Sequence, residues 1–292
     1  MPTTSDGAVA DCGRTDCGRK AAQLRDLLQQ LQQVLVCFSG GVDSSYLLAE
    51  SVQVLGENAV AFTAVSPSLA PEEGAEARRL AEQLGARHVL VETHELDDSR
   101  YAANPANRCY FCKTEVYGVA IEQARRLGIA HVLDGFNSDD RGDHRPGRQA
   151  ALQYGVRSPL DDLGFTKADI RQQAQQMDLP VWDKPALACL SSRFPYGTRI
   201  TVERLRQVWQ CERALREMGF RVCRVRYHDA MARIEVALQD IPRLFAPEVK
   251  DEIVRRLRKA GFSTVTVDLQ GYRTGSLNEA LRGERNCYTT HL

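Results

Sequence analysis

An excess of charge of either sign is missing from this 292-residue chain, where 38 Lys and Arg face 38 Asp and Glu. No global basic surface advertises nucleic acid, and no nucleic-acid partner is expected. Long apolar runs are missing too. Nothing approaches the length of a membrane span, and Met1–Arg19 lacks the apolar core of a signal peptide, so no membrane partner is expected either. The six histidines show no zinc-finger spacing, and the CxxC pair at Cys109 and Cys112 has no second pair to complete it. Cysteine, by contrast, is plentiful. Nine thiols without an export signal point to a reducing compartment, the cytoplasm, with thiols as ligands or nucleophiles. The length is generous for one domain and comfortable for two.

The chain also lacks the Gly-Lys-Ser/Thr step of a Walker A loop. It has instead Ser39-Gly-Gly-Val-Asp-Ser44, preceded by the apolar run Val34–Phe38, which reads as a buried parallel strand. Ser45-Tyr-Leu-Leu-Ala-Glu50 follows and reads as the start of a helix. Gly40 and Gly41 permit a tight turn that brings backbone N–H groups close to an anion. The helix N-terminus adds partial positive charge and open donors, and Ser39, Ser44 and Ser45 add hydroxyls. The pattern predicts a phosphate cradle. The competing reading is a glycine-rich strand-to-helix turn with no ligand.

A helix over about 21–31 precedes the first strand. Strands at 59–65, 88–92 and 131–134 then alternate with helices at 71–84 and 110–127, which predicts an α/β domain with a parallel sheet covered on both faces. Residues 1–20, polar and glycine-containing, are expected to be a disordered tail, with Cys12 and Cys17 inside it. Ligands of such sheets gather beyond the C-terminal strand ends. Ser66-Pro-Ser68 and Asp134-Gly-Phe-Asn-Ser-Asp-Asp140 fall there. In the second loop Gly135 permits close backbone approach, while Asn137, Asp139 and Asp140 offer ligands or acceptors. A further segment, Asp183–Thr201, follows a helix at 167–177 and holds Cys189 among Lys184, Arg193 and Arg199. Positive neighbours favour the thiolate, which is the nucleophilic form.

Cys109 and Cys112 sit one turn apart at the start of a helix, so their sulfurs share a face and the helix dipole favours their thiolates. Such a pair can be a redox dithiol, half a zinc site or part of an iron–sulfur cluster. From about residue 201 the pattern changes to a smaller α+β domain, with a helix at 203–218 and a strand at 222–227. That strand puts Arg224, Arg226 and His228 on one face. The face is either the solvated side of a half-buried strand or a grip on a substrate phosphate, for which arginine is well shaped. The expected limits are a tail at 1–20, domains at 21–200 and 201–280, and a flexible tail at 281–292 in which Cys287 has no role.

The loop Ser39–Ser44 resembles the pyrophosphate loop of the ATP pyrophosphatase (PP-loop) superfamily at every fixed position of Ser-Gly-Gly-x-Asp-Ser. Three further segments narrow the resemblance to the LarE family: Asn107-Arg-Cys-Tyr-Phe-Cys-Lys113, Lys184–Thr201 and Gly271-Tyr-Arg-Thr-Gly-Ser276. It extends over roughly residues 20–280. LarE proteins are ATP-dependent sulfur transferases that act on pyridinium-3,5-biscarboxylate mononucleotide in making the nickel-pincer nucleotide cofactor.

The resemblance implies that Ser39, Gly40, Gly41, Asp43, Ser44, Ser66 and Asn137 bind ATP, with Asp43 holding Mg²⁺. It implies Cys189 as the sulfur-transfer residue and Arg193, Arg224 and Arg226 as substrate contacts, with Arg273 near the site. Glu212 and Glu235 match acidic positions that hold a divalent cation. Relatives with three matching cysteines carry a 4Fe-4S cluster, which would fall on Cys109, Cys112 and Cys189; in the sacrificial version Cys189 itself gives up its sulfur. A small-molecule nucleotide is the expected substrate and a homo-oligomer the expected assembly. A tRNA-thiolating PP-loop enzyme, an amidating ligase of the NAD- or GMP-synthetase kind and a non-catalytic nucleotide-binding module are the alternatives.

Overall fold

The computed structural model describes residues 6–142, 147–185, 188–273 and 275, and the chain divides into two compact units. The first takes Met1–Asp98 and Asn107–Leu187. It opens with α1 (Asp6–Leu31), β1 (Val34–Cys37), α2 (Val42–Leu55), β2 (Ala59–Val65), α3 (Pro71–Gln83) and β3 (Arg87–Glu92). A one-turn helix, α4 (Ser99–Ala102), is part of the second unit, and the chain then returns to the first. There it forms α5 (Arg108–Arg126), β4 (Val132–Leu133), α6 (Gly147–Gln153), α7 (Pro159–Asp162) and α8 (Lys167–Gln176).

The four strands are parallel in the order β3-β2-β1-β4, with Val34 opposite Ala59, Leu35 opposite Val132 and Val60 opposite Arg87. β1 and β2 are nearly all apolar because both faces are covered. Val34 and Val36 face Leu24, Leu28 and Leu47, whereas Leu35 and Phe62 face Tyr117, Ala120 and Ala124. The chain leaves β1 toward β2 and β3 on one side and returns to β4 on the other. The C-terminal end of β1 is therefore the switch point where open α/β sheets bind ligands.

The tail expected over 1–20 is instead helical from Asp6 onward. Cys17, Ala21, Leu24, Leu28 and Leu31 recur at helical spacing and are all buried. Cys17 packs against α8, accepting from Gln173 Nε2 at 3.2 Å, so its place is in the core rather than in a disordered tail. Lys20 reaches Asp169 (2.8 Å) and the Gly164 carbonyl (2.9 Å), and Arg25 grips buried Glu50 with two hydrogen bonds. Tertiary anchors of this kind outweigh the cost of glycine in a helix, which local composition reports and packing does not.

The second unit takes Ser99–Ala106 and the chain from Ala188. It contains α9 (Val202–Glu217), β5 (Cys223–His228), β6 (Met231–Val236), α10 (Ile241–Leu244), α11 (Pro247–Lys259) and β7 (Thr264–Val267). The sheet order is β5-β6-β7, antiparallel then parallel, covered by Leu205, Val208 and Leu215 of α9 and by Ile253 and Leu257 of α11. The boundary thus falls at 187/188 rather than 200/201, and an eight-residue stretch from earlier in the chain crosses it. Hydrogen bonds are the reason. Asn104 donates to the Pro195 carbonyl (2.8 Å) and accepts from Gly197 N–H (2.8 Å), Ile200 N–H bonds to Ala102, and Tyr101 meets Ser191 at 2.7 Å. The tail expected at 281–292, with Cys287, lies outside the described residues.

Candidate active site

β1 hands the chain to Phe38, whose carbonyl accepts from Thr63 Oγ1 at 2.6 Å while Thr63 meets His88 Nε2 at 2.8 Å. The strand end is thereby locked before the loop begins. Gly40 has φ +73°, and a Cβ there would come within 3.1 Å of Ala77 Cβ, so only glycine turns the chain here without strain. Ser44, on the first turn of α2, accepts from Ser39 N–H and lies against Ser39 Oγ, both at 3.2 Å. Ser39 is exposed, Gly41 and Asp43 are half-buried, and all border the α2 N-terminus. The five loop residues expected from the sequence form one lip at that helix end, a ready anion site.

The loop after β4 is pressed onto the same helix end. A Cβ on Gly135 would lie 2.8 Å from Ser44 N, so its missing side chain is what permits the contact. Asp134 anchors the loop by accepting from Tyr117 (2.6 Å), Ser158 (2.7 Å) and Phe136 N–H (3.2 Å). Asn137 is fully buried; its Oδ1 accepts from Asp139 N–H, and its Nδ2 has no hydrogen-bond partner. Asp139 caps α8 by accepting Lys167 N–H at 2.8 Å. The Lys167 ammonium stands 3.9 Å from both the Asp43 and Asp140 carboxylates. Two carboxylates converging on one cation offer the oxygen donors that Mg²⁺ takes, so the residues fit that ion. Lys167 escaped the sequence reading because only the fold brings α8 to this loop.

Ser66 is present at the end of β2, and its hydroxyl donates to Glu95 at 2.5 Å. Buried Glu95 also accepts from Ser68 (2.8 Å) and Thr93 (3.1 Å). Glu95 is a second residue the sequence did not reveal, since it lies in an undistinguished acidic stretch. Cys109 is exposed and Cys112 half-buried on the first turns of α5, with Arg108 Nη2 3.9 Å from Cys109 Sγ. They belong to the first unit and Cys189 to the second. Among the described residues no three His, Cys, Asp or Glu side chains form a group that could hold a metal.

In the second unit Cys189 is half-buried and heads a short 3₁₀ turn, Leu190–Arg193. Two of the cations near it in sequence have carboxylate partners of their own. Lys184 pairs with Glu76 at 2.7 Å within the first unit, and Arg193 is 1% exposed and pairs with Glu212. Arg193 was expected on substrate. Its guanidinium instead donates to both Glu212 oxygens (2.7 and 3.0 Å) and to the carbonyls of Ala188 (2.7 Å) and Cys189 (2.9 Å).

Arg226 is likewise turned inward, onto both oxygens of Glu235 (2.9 and 2.7 Å) and the Ser192 carbonyl (2.8 Å). Arg224 remains half-buried, bonded to its own strand at the Cys223 carbonyl and set 5.3 Å over the Tyr272 ring. The divalent-cation expectation for Glu212 and Glu235 meets the same geometry. Glu212 also accepts from Arg216 and Val225 N–H, and Glu235 from Arg233, so each carboxylate is already surrounded by guanidinium. Burial raises the Glu212 pKa, but Arg193, Arg224 and Arg216 outweigh it and hold the carboxyl below its ordinary value. Arg273 lies with its Nη1 3.3 Å from the Gly271 carbonyl.

A parallel sheet carrying Ser-Gly-Gly-x-Asp-Ser at its switch point defines an ATP pyrophosphatase of the PP-loop superfamily. A profile of the asparagine synthase family matches residues 21–108, which span the loop. A pyridinium-3,5-bisthiocarboxylic acid mononucleotide synthase of Lactiplantibacillus plantarum is 39% identical over 263 residues, 90% of this chain and 95% of that protein. An uncharacterised protein of Synechocystis sp. is 47% identical over 262 residues, 90% of this chain and 98% of its own. A tRNA-specific 2-thiouridylase of Thermus thermophilus is 29% identical over 195 residues, 53% of each chain. The chain belongs to the LarE family of ATP-dependent sulfurtransferases.

Proposed function

We propose that this protein uses ATP to turn a carboxylate of pyridinium-3,5-biscarboxylate mononucleotide into a thiocarboxylate, on the way to the nickel-pincer nucleotide cofactor. The observation that carries the reading is the 39% identity, nearly end to end, with a relative whose name is that of a bisthiocarboxylic acid mononucleotide synthase. A substrate carboxylate oxygen attacks the α-phosphorus of ATP, and pyrophosphate leaves. Ser39, Gly40, Gly41 and Ser44 stabilise the leaving pyrophosphate by N–H and O–H donation, while Ser66 and Asn137 border the nucleotide. Asp43 and Asp140 would hold Mg²⁺, which would supply charge neutralisation.

The Cys189 thiolate then attacks the acyl carbon, AMP leaves and a thioester forms. Loss of the Cys189 α-proton and cleavage of its C–S bond release the thiocarboxylate and leave dehydroalanine. Arg224, half-buried on β5 with its guanidinium 5.3 Å over the Tyr272 ring, takes the substrate phosphate together with Arg226 of the same strand. In the variant that the family resemblance implies, Cys109, Cys112 and Cys189 would hold a 4Fe-4S cluster that would supply the sulfur and spare the polypeptide. A small-molecule substrate, no nucleic acid and a homo-oligomeric cytoplasmic assembly complete the reading.

The test is anaerobic protein given ATP, Mg²⁺ and the pyridinium dicarboxylate nucleotide, with intact mass and product followed together. Thiocarboxylate with loss of one H₂S from Cys189 establishes the sacrificial route. Product with unchanged mass establishes catalytic sulfur supply. Pyrophosphate release that depends on tRNA or on ammonia, and not on this nucleotide, overturns the reading in favour of thiouridylation or amidation.

A further inference from the structure

Two guanidinium groups grip the loop that carries Cys189, and each is backed by its own buried glutamate. Arg193 Nη1 donates to the carbonyls of Ala188 (2.7 Å) and Cys189 (2.9 Å) and lies 2.8 Å from Ser192 Oγ. The Cys189 carbonyl also accepts from Ser192 N–H (2.9 Å) and from Ser192 Oγ (2.8 Å), so three donors meet at this one oxygen. Arg226 Nη1 holds the Ser192 carbonyl at 2.8 Å. Glu212 and Glu235, both 0% exposed, aim the two forks by bidentate contact. Tyr101 fastens the same turn from another side, through Ser191 at 2.7 Å.

We propose that Arg193 is the positioning residue of Cys189: its fork, aimed by Glu212, clamps the carbonyls on both sides of the cysteine Cα and so fixes the direction of the thiol. A pair serving only the core would need no contact to these two carbonyls, and the Cys189 backbone (φ −57°, ψ 154°) is where the clamp closes. Lysine cannot replace the clamp, because one ammonium cannot reach two carboxylate oxygens and two carbonyls from a planar fork. The assignment explains why Arg193 is buried rather than offered to substrate.

The chemical consequence rests on the proposed sulfur-transfer reading; the thiol-labelling consequence does not. In Arg193→Lys, alkylation of Cys189 by iodoacetamide, measured against exposed Cys109 by peptide mass spectrometry, is expected to rise. Labelling of buried Cys17, Cys211 and Cys223 is expected to stay absent, which reports an intact fold. Thiocarboxylate formation is expected to fall by about a hundredfold, the order that follows from moving a reacting atom by ~1 Å. Substrate-dependent pyrophosphate release should persist with an unchanged KM for the nucleotide.

Should Arg193→Lys label its buried cysteines, Ser192→Ala decides, since it removes one link and leaves the ion pair; a smaller rise in Cys189 labelling is expected. An unchanged Cys189-to-Cys109 labelling ratio in a folded variant overturns the proposal. Equal loss of pyrophosphate release and product, with a raised KM, also overturns it and makes Arg193 a substrate contact. A wild-type protein without nucleotide-dependent pyrophosphate release defeats the functional reading alone and leaves the labelling result standing.

Discussion

Three single positions carry most of what this protein is expected to do. Cys189→Ala should abolish thiocarboxylate formation while pyrophosphate is still released on adding substrate, since adenylation precedes any use of the thiol. Full product from that variant would remove Cys189 from the mechanism. Gly135→Ala puts a Cβ 2.8 Å from Ser44 N, against backbone that cannot yield cheaply. It should cost about 1–3 kcal/mol by overpacking and weaken ATP binding by displacing the loop; calorimetric ATP affinity equal to wild type would contradict this placing of the loop. Arg193, expected on substrate, illustrates the opposite outcome. Its charge is read easily from sequence, but its partner Glu212 lies 19 residues away and decides its use.

At the scale of elements, helix ends do much of the positioning. α8 begins with a capping box: Thr166 Oγ1 accepts Asp169 N–H at 3.1 Å and Asp169 accepts Thr166 N–H at 2.9 Å. The same turn presents Lys167 to Asp43 and Asp140, and Asp169 also binds Lys20 of α1. Thr166→Ala should lower stability by about 1 kcal/mol, seen as an earlier urea midpoint with unchanged slope. It should also weaken Mg²⁺-dependent ATP binding, because the lysine moves with the turn. The motif at the end of β1 was legible because strand, glycine turn and helix are contiguous. The pairing of Arg226 was not legible for the reverse reason: alternation assigned it an open face, and its ion pair with Glu235 of the neighbouring strand buries it.

Over the whole molecule, the balance of 38 positive and 38 negative side chains conceals a split. The second unit carries more Lys and Arg than Asp and Glu, and the first the reverse. Tight RNA binding that weakens steeply with salt would therefore count for the thiouridylase alternative, and its absence is the expected result. Acid should destabilise both units. Burial, reinforced by Arg78, holds the His88 pKa below its ordinary 6.5, and burial with Arg233 and Arg226 does the same for His228. Glu212 is held below 4.5. A group whose folded pKa is depressed stabilises the fold above its unfolded value and loses that contribution as pH falls. The urea midpoint should accordingly decline on acidification from about pH 6.5 and again through the carboxylate range, with His88→Gln removing part of the first step.

Local order in the chain was enough for the pyrophosphate loop, the alternation of strands and helices, and the CxxC on a helix start. Each is written in neighbouring residues whose periodicity or turn chemistry acts over a few positions. Hydrogen bonds and ion pairs between distant positions were not so written. They packed residues 16–20 onto the core, moved Ser99–Ala106 into the second unit, set Lys167 beside two aspartates and paired Arg193 and Arg226 with buried glutamates. The physical reason is that a charge or donor has no intrinsic target. Which acceptor it meets is decided by the packing that brings the two together, and burial then makes that one partner nearly obligatory.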